Sequence, residues 1–283
     1  MLTSVEVYNA VGAFKALIPV TAIQNDSPYV ITEIGGIGPV KADILTSPYA
    51  NQAGGFFQSA RTGQRNITFK MAYGSVSKTG KTVETLRREL YSIFPPEGGL
   101  TLKFFNPEPG APNDVDIVGY VESITPNIFS KEPEVMVSII CPKPYFYKPD
   151  FLTRTGWTRE SLVVPYQGDA PVGFQAQLVV YSDITKVIIS NGRVDEDMVM
   201  EFPQPNHLRL GDQLIVQTIS GEKRLYIIRS TYTIPALDNL TYGSLSMQLD
   251  ANVNTFVVDV VPVAGQTGIM PFTMTCQTSY LGL

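Results

Sequence analysis

Glycine and proline recur at short intervals along the whole chain, and this spacing limits what the chain can fold into more than any other feature. The 283 residues include 23 glycines and 21 prolines, which are spread along the sequence and not gathered into one linker. Both residues interrupt regular structure and mark turns. The sequence therefore consists of many short segments separated by turns.

The short segments between these turns have the composition of β-strands. They are rich in Val, Ile, Thr, Phe and Tyr, and several alternate apolar and polar residues with a period of two. The predicted strands are Ile67–Tyr73, Leu100–Phe105, Asp116–Ser123, Glu134–Cys141, Phe174–Tyr181, Lys186–Ser190, Gln213–Thr218, Arg224–Arg229, Ser244–Leu249 and Thr255–Val260.

One segment, from about Thr82 to Phe94, has the pattern of a helix. Val83, Leu86, Leu90 and Ile93 form a single apolar stripe, and Thr82 is a suitable N-cap. Two prolines follow Phe94 and would end the helix. One helix among ten or more strands predicts an all-β protein, because the strands do not alternate with helices as in doubly wound α/β enzymes.

The composition excludes several classes of function. Charged residues make up 17% of the chain, against about 25% in a typical protein. The surface is therefore covered by uncharged polar side chains, or part of it is hidden against other chains. A net charge of −5 argues against a nucleic-acid-binding surface, which would be basic.

The two cysteines and the single histidine also limit the chemistry. Cys141 and Cys276 could form at most one bridge, and we expect both to be free thiols. No cysteine pair has zinc-ligand spacing, and we expect no metal, cofactor or catalytic residue. The N-terminus lacks a secretory signal and no apolar run is long enough to span a membrane, so we expect a soluble protein made in the cytoplasm.

Three motifs that suggest chemistry have simpler explanations. The segment Gly74–Thr82 lies between a strand and the helix, but five residues separate its glycines where a phosphate-binding loop requires four. The segment Gly35–Pro39 is predicted to be a β-turn. His207 lies in a proline-rich segment without a nucleophile motif, and is predicted to be a surface histidine.

The segment Ser47–Arg65 is the best candidate for a functional site. It is polar and glycine-rich, so it is predicted to be a long loop, yet it contains the adjacent Phe56 and Phe57, followed by Arg61 and Arg65. Two adjacent aromatic residues in a loop cannot both face one local core, and aromatic residues and arginines are enriched at interface centres. We therefore expect these four residues to contact a neighbouring subunit; alternatively, one phenylalanine is covered by the loop itself.

A domain boundary is expected between Cys141 and Pro165, where proline and aromatic residues are dense and no period is visible. We divide the chain into Met1–Tyr147 and Lys148–Leu283. The sequence leaves open whether the segment Gly268–Leu283 folds back onto the first domain or completes the second.

Three stretches of the sequence resemble the distal tail protein (Dit) family of bacteriophages with long, non-contractile tails. In the first, Arg61–Arg65 is followed by the strand Ile67–Tyr73 and the helix. The second stretch consists of Gly119–Thr125 and Val135–Phe146. The third consists of Tyr166–Val172, Leu210–Thr218 and Leu249–Phe256. The chain departs from the family at Ala251–Asn254, where a Gly-x-Asn turn is usual.

The resemblance implies a fold and a role. The first domain would be a split barrel like that of tail-tube proteins, with one helix, and the second a galectin-like β-sandwich. Proteins of this family form hexameric rings at the distal end of the tail, where they join the tail tube to the tail-tip or baseplate proteins. The tape-measure protein and DNA pass through the ring. The resemblance therefore implies a structural virion protein, assembled in the host cytoplasm, without an active site.

Two other functions are compatible with the residues. A galectin-like domain could bind a sugar of the host surface, with Asn206, His207 and Trp157 as candidate contacts. A cell-wall glycosidase would need two carboxylates in one groove, which the sequence neither shows nor forbids.

Overall fold

The chain forms two compact units in a computed structural model that describes residues 2–20, 27–74, 80–108, 112–127, 133–193 and 196–283. Unit 1 comprises Met1–Pro149 together with Tyr280–Leu283, and unit 2 comprises Asp150–Ser279. The predicted all-β architecture is confirmed, because antiparallel strands dominate both units and the described residues contain one α-helix.

The described residues of unit 1 form nine complete strands and the beginning of a tenth. They are β1 (Ser4–Asn9), β2 (Phe14–Pro19), β3 (Tyr29–Gly35), β4 (Ala42–Pro48), β5 (Gly55–Thr62), β6 (Arg65–Tyr73), β7 (Gly99–Phe105), β8 (Val115–Asn127), β9 (Glu134–Cys141) and β10 (Phe146–Trp157), which continues into unit 2.

Seven of these strands form one curled antiparallel sheet in the order β2-β1-β7-β8-β9-β6-β3. The terminal strands β2 and β3 also contact each other, so the sheet curls around a single core. Alternate residues point inward, as in β6, where Ile67, Phe69 and Met71 are fully buried. Each side chain of this size stabilises the fold by about 1.5–3 kcal/mol when it leaves water.

The helix α1 (Val83–Ile93) begins and ends as the sequence predicts. The Thr82 hydroxyl caps it by accepting a hydrogen bond of 3.2 Å from the Thr85 N–H. Leu86, Leu90 and Ile93 are buried, whereas Val83 is partly exposed and lies off the buried stripe.

In unit 2, the described part of the chain forms the rest of β10 and ten further strands. They are β11 (Ser161–Tyr166), β12 (Phe174–Val179), β13 (Ile184–Asn191), β14 (Glu196–Glu201), β15 (Gln213–Gln217), β16 (Arg224–Arg229), β17 (Tyr232–Pro235), β18 (Leu240–Tyr242), β19 (Asn252–Pro262) and β20 (Pro271–Tyr280). A short 3-10 helix, Leu237–Asn239, connects β17 and β18.

Unit 2 is a β-sandwich. One sheet has the order β17-β16-β15-β12-β20-β10 and the other β11-β19-β13-β14-β18. Apolar residues from both sheets form one core, in which the rings of Phe174 and Phe256 meet edge to face with their centroids 5.2 Å apart.

The structure differs from the sequence prediction at Ser244–Leu249, which is not a strand. Leu245, Met247 and Leu249 are buried at alternate positions, but only Leu249 forms a bridge, with Val172. The Ser244 side chain accepts a hydrogen bond from the Ser246 N–H and turns the chain instead.

The C-terminal segment contributes to both units. Strand β20 completes the six-stranded sheet of unit 2 up to Ser279, and the last four residues belong to unit 1. In unit 1 the Leu283 N–H donates a hydrogen bond of 3.0 Å to the Ile37 carbonyl oxygen.

Candidate subunit interface

The predicted loop Ser47–Arg65 belongs to a β-hairpin up to Thr62, and its last residue, Arg65, begins β6. Strands β4 and β5 pair with each other over seven residue pairs, and neither pairs with another described strand. All eight residues of β5 are exposed, and so is nearly all of β4. A two-stranded hairpin without a core of its own is marginally stable in water, so this element needs a further surface to pack against.

A β-bulge decides which side chains share a face of the hairpin. The register shifts between Leu45 and Thr46, so that β5 has one extra residue, Gln58. Beyond the bulge, Phe57 lies opposite Thr46, and it shares a face with Ile44 and Ala60. Without the bulge, strict alternation from Ala60 would turn Phe57 to the other face.

On one face of the hairpin, polar side chains of the two strands interact with each other. The Arg61 guanidinium lies 3.4 Å from the Asp43 carboxylate, and Gln58 donates a hydrogen bond to the Ser47 hydroxyl. On the same face, the rings of Phe56 and Tyr49 lie 6.1 Å apart. These polar and aromatic side chains therefore have partners within the hairpin, whereas Leu45 on the same face is 57% exposed.

The other face is apolar and has no such partners. We call it the apolar hairpin face, and it is formed by Ile44, Thr46, Phe57 and Ala60. Ile44 and Phe57 are 63% and 64% exposed, which is far more than large apolar side chains in a packed position.

Arg65, the fourth residue predicted at the interface, lies inside unit 1 and not at the surface. It begins β6, and only 1% of it is exposed. Its guanidinium donates hydrogen bonds to four backbone carbonyl oxygens: Pro144 at 2.6 Å, Gly36 at 2.5 Å, Gly38 at 2.7 Å and Leu281 at 2.5 Å. We call this arrangement the Arg65 cage.

The surroundings of Arg65 explain how a charged group can be buried there. The guanidinium lies 4.4 Å from the centroid of the Phe146 ring, which adds a cation–π contact. Burial lowers the pKa of Arg65, but an arginine in a protein remains charged. The chain approaches very closely here: a Cβ on Gly36 would lie 1.8 Å from the Asn66 carbonyl oxygen, and the positive φ of Gly36 also requires glycine.

The sequence contains only part of the signal for this site. The adjacent phenylalanines indicated an interaction, but the bulge hides the alternation that would have revealed a hairpin. No sequence pattern marks Arg65 as buried, because its partners are backbone atoms of three separate segments.

The other sequence candidates concern a metal site, the Gly74–Thr82 motif and the two cysteines. In the described part of the chain, no three His, Cys, Asp or Glu side chains are grouped to hold a metal ion, and no helix is long and apolar enough to cross a membrane. Residues 75–79 of the Gly74–Thr82 motif lie outside the described residues. Both cysteines are free, as expected, and both are also buried.

The three candidate sugar contacts differ in how exposed their side chains are. His207, predicted at the surface, is partly buried: its side chain is 17% exposed, and its Nε2 lies 3.5 Å from the Asp183 carboxylate. Asn206 is exposed in the preceding turn. Trp157 ends β10 in unit 2 and is 47% exposed.

Comparison with known proteins identifies the fold. No family model matches the chain, and neither does any curated protein. The structure is similar to that of the Dit protein of phage SPP1, described as a paradigm of the hub adsorption apparatus in phages that infect Gram-positive bacteria. The TM-score is 0.63 at 15% sequence identity, and the alignment covers 97% of this chain and 98% of the SPP1 protein.

Two structures of the phage P2 baseplate in its activated conformation, with Ca and with Sr, align with TM-scores of 0.43 and 0.40. Each has 8% identity; the alignments cover 98% and 97% of this chain, and 98% of the matched chain in both cases. The similarity to the SPP1 protein extends over nearly the whole chain, so the Dit-like fold implied by the sequence resemblance is confirmed.

Proposed function

We propose that this chain is a structural protein of a phage tail, with no enzymatic activity. In this proposal it forms a hexameric ring at the distal end of the tail and joins the tail tube to the tail-tip or baseplate proteins. The ring surrounds the path of the tape-measure protein and DNA. The main support is the similarity to the SPP1 hub protein, which extends across both units.

The exposure of the apolar hairpin face is the main structural observation that supports the proposed ring. Phe57 and Ile44 are exposed on an element that has no core, and burial of each would contribute about 1.5–3 kcal/mol. The outer edges of β4 and β5 also leave backbone groups unpaired by described strands. A neighbouring subunit that covered this face would bury the apolar side chains and pair the backbone groups. Repeating such a head-to-tail contact gives a ring when the rotation between neighbours closes, as it does in a hexamer.

The charge of the subunit agrees with this role. A net charge of −5 disfavours adhesion of DNA, which must pass through such a ring without binding. The protein would be made in the host cytoplasm and found in the tail of the finished virion.

The ring can be tested by light scattering across a concentration series, together with electron microscopy. We expect a mass of about six times 31.1 kDa and particles with a central hole. A monomer at every concentration would contradict a ring formed by this chain alone.

The role of the apolar hairpin face can be tested with two adjacent residues. Phe57→Ala removes a ring from this face, and we expect the dissociation constant of the assembly to rise roughly 10- to 150-fold. Phe56→Ala is the matched control, because Phe56 packs against Tyr49 on the polar face. If both variants assemble like the unchanged protein, the apolar hairpin face is not the joint.

A further inference from the structure

The outer surface of the six-stranded sheet in unit 2 has an unusual composition. Strands β10, β20, β12 and β15 lie side by side, and their outward residues are mainly threonine and glutamine. In one row across the sheet, Thr273 pairs with Gln177, and in the next Thr275 pairs with Gln175. We call this surface, with Thr153 and Thr155 of β10, the Thr–Gln face.

The outward positions of the Thr–Gln face are uncharged, whereas the exposed Asp150 and Arg154 of β10 alternate to the other side of the strand. The outward residues of β10 within unit 2, and those of β20, β12 and β15, are all uncharged. The first charged side chain in this register is Arg224 on β16, opposite Gln217. A face without charges offers nothing to attract an ionic partner.

Hydrogen bonds between neighbouring strands hold these side chains in place. The Gln177 amide donates to the Gln213 side-chain oxygen at 2.9 Å. The hydroxyl oxygens of Thr153 and Thr275 lie 3.4 Å apart, and those of Thr155 and Thr273 lie 3.3 Å apart. Hydroxyl and amide groups both donate and accept, so one bond to a neighbour leaves each group able to bind a ligand as well.

Two exposed aromatic rings flank the threonines of β10. Phe151 and Trp157 are 62% and 47% exposed, and both lie on the same side of the strand as Thr153 and Thr155, since side chains alternate along it. The two rings are six residues apart, or about 20 Å along the strand. Within unit 2, β10 is the last strand of its sheet, so these rings stand at its edge.

We propose that the Thr–Gln face binds an uncharged polysaccharide. Sugar hydroxyls both donate and accept hydrogen bonds, as threonine and glutamine side chains do, and the apolar C–H face of a sugar ring can pack on an aromatic ring. The absence of charge disfavours anionic chains. The distance between Phe151 and Trp157 suits an extended ligand with several sugar units.

A protein partner fits this surface less well. Protein interfaces have an apolar centre in which a few large side chains contribute most of the affinity. The Thr–Gln face has hydrogen-bonding groups at its centre and its aromatic rings at one edge. A protein that covered it would have to satisfy each of these polar groups or leave them buried without partners.

The test uses the full-length protein and named neutral polysaccharides. In native gels that contain a glucan, a galactan, a mannan or a rhamnan, we expect at least one to retard the protein, whereas polygalacturonate, which is anionic, should not. Trp157 is the only tryptophan, so its fluorescence reports directly on this face, and the emission should shift to shorter wavelength during the same titration. No retardation by any of the four neutral polymers would overturn the proposal.

Variants locate the binding surface. Trp157→Ala should weaken binding roughly tenfold, and Thr275→Val, which removes a hydroxyl while keeping the shape, should weaken it measurably. Tyr242→Ala is the control, because it removes an exposed ring from the other sheet of unit 2. Equal binding by Trp157→Ala and the unchanged protein would overturn the proposal.

A further variant distinguishes a polysaccharide-binding surface from a contact between subunits. Thr155→Lys adds a charge to the Thr–Gln face, and we expect it to abolish polysaccharide binding without changing the mass in solution. A change in that mass would instead identify the face as a protein interface and overturn the proposal. Loss of the ring with retained polysaccharide binding would count against the proposed function alone.

Discussion

At the scale of single residues, Arg65 shows how a buried charge can stabilise a β-domain without a carboxylate partner. The guanidinium has five donors in a fixed fork, and four of its hydrogen bonds go to backbone carbonyl oxygens. Those carbonyl groups belong to three separate segments, so Arg65 connects parts of unit 1 that the sheet alone does not join. Removing the side chain would break all four of these hydrogen bonds at once.

We therefore expect Arg65→Met to destabilise unit 1 by about 3 kcal/mol, because the aliphatic replacement makes none of these bonds. Urea unfolding, followed by circular dichroism, measures the change. Arg61→Met is the matched control: Arg61 forms an exposed ion pair with Asp43, and its loss should cost less than about 1 kcal/mol. Equal effects of the two substitutions would contradict the role of the Arg65 cage.

The cysteines give a pH-dependent prediction. Burial raises the pKa of the Cys141 and Cys276 thiols from 9.0 to about 11. The folded protein therefore keeps them neutral, and their contribution to stability is complete below pH 9 and is lost as the pH rises toward 11. We expect neither thiol to react with a thiol reagent at pH 8 until urea unfolds the protein. Fast reaction of the folded protein would contradict their burial.

At the scale of elements, the hairpin β4–β5 separates two kinds of surface on one pair of strands. Polar side chains on one face form an ion pair and a hydrogen bond within the hairpin. On the other face, Ile44 and Phe57 are exposed. The bulge at Gln58 produces this separation by turning Phe57 to the side of Ile44. Assembly should therefore depend on one face of the hairpin and not on its exposed residues in general.

Ile44 and Leu45 test this face dependence, because they are adjacent, similar in size and exposed to 63% and 57%. Ile44→Asp places a charge on the apolar hairpin face and should prevent assembly, since the charge would have to lose its water. Leu45→Asp places the same charge on the polar face and should be tolerated. Light scattering at one protein concentration distinguishes them, and the reverse order of effects would exclude the assigned faces.

The elements also show what the sequence could and could not predict. Period-two alternation located the strands, and the apolar stripe and the Thr82 cap located α1, because these patterns are local. The segment Ser244–Leu249 alternates in the same way, but its alternate residues fill the core from an irregular segment. Alternation of apolar and polar residues predicts which side chains are buried. It does not predict whether the backbone forms hydrogen bonds with a neighbouring strand.

At the scale of the whole molecule, the parts that escaped prediction depend on contacts between distant segments. The Arg65 cage joins residues 216 positions apart in the chain, Arg65 and Leu281, and no local pattern encodes that bond. The faces of the hairpin follow from a one-residue shift in register. The fold class could be predicted, whereas the composition of the candidate interface required the three-dimensional structure.

Removal of Tyr280–Leu283 tests the importance of the C-terminal residues for unit 1. The truncation deletes the Leu281 acceptor of Arg65 and the bond between Leu283 and Ile37. We expect unit 1 to lose about 2–4 kcal/mol, while unit 2, which retains β20 up to Ser279, keeps its stability. Amide hydrogen exchange, analysed separately for the two units, measures the change in the stability of each unit. Equal loss of protection in both units would contradict the assignment of these residues to unit 1.

The return of the chain to unit 1 also has a consequence for the order of events during synthesis. About 130 residues, those of unit 2, lie between Pro149 and Tyr280. At a translation rate of about 5–20 residues per second, the ribosome needs on the order of ten seconds to make them. During that interval Arg65 lacks one of its four acceptors, while unit 2 becomes available to fold. The hydrogen bonds around Arg65 are therefore complete only after translation has passed Leu281.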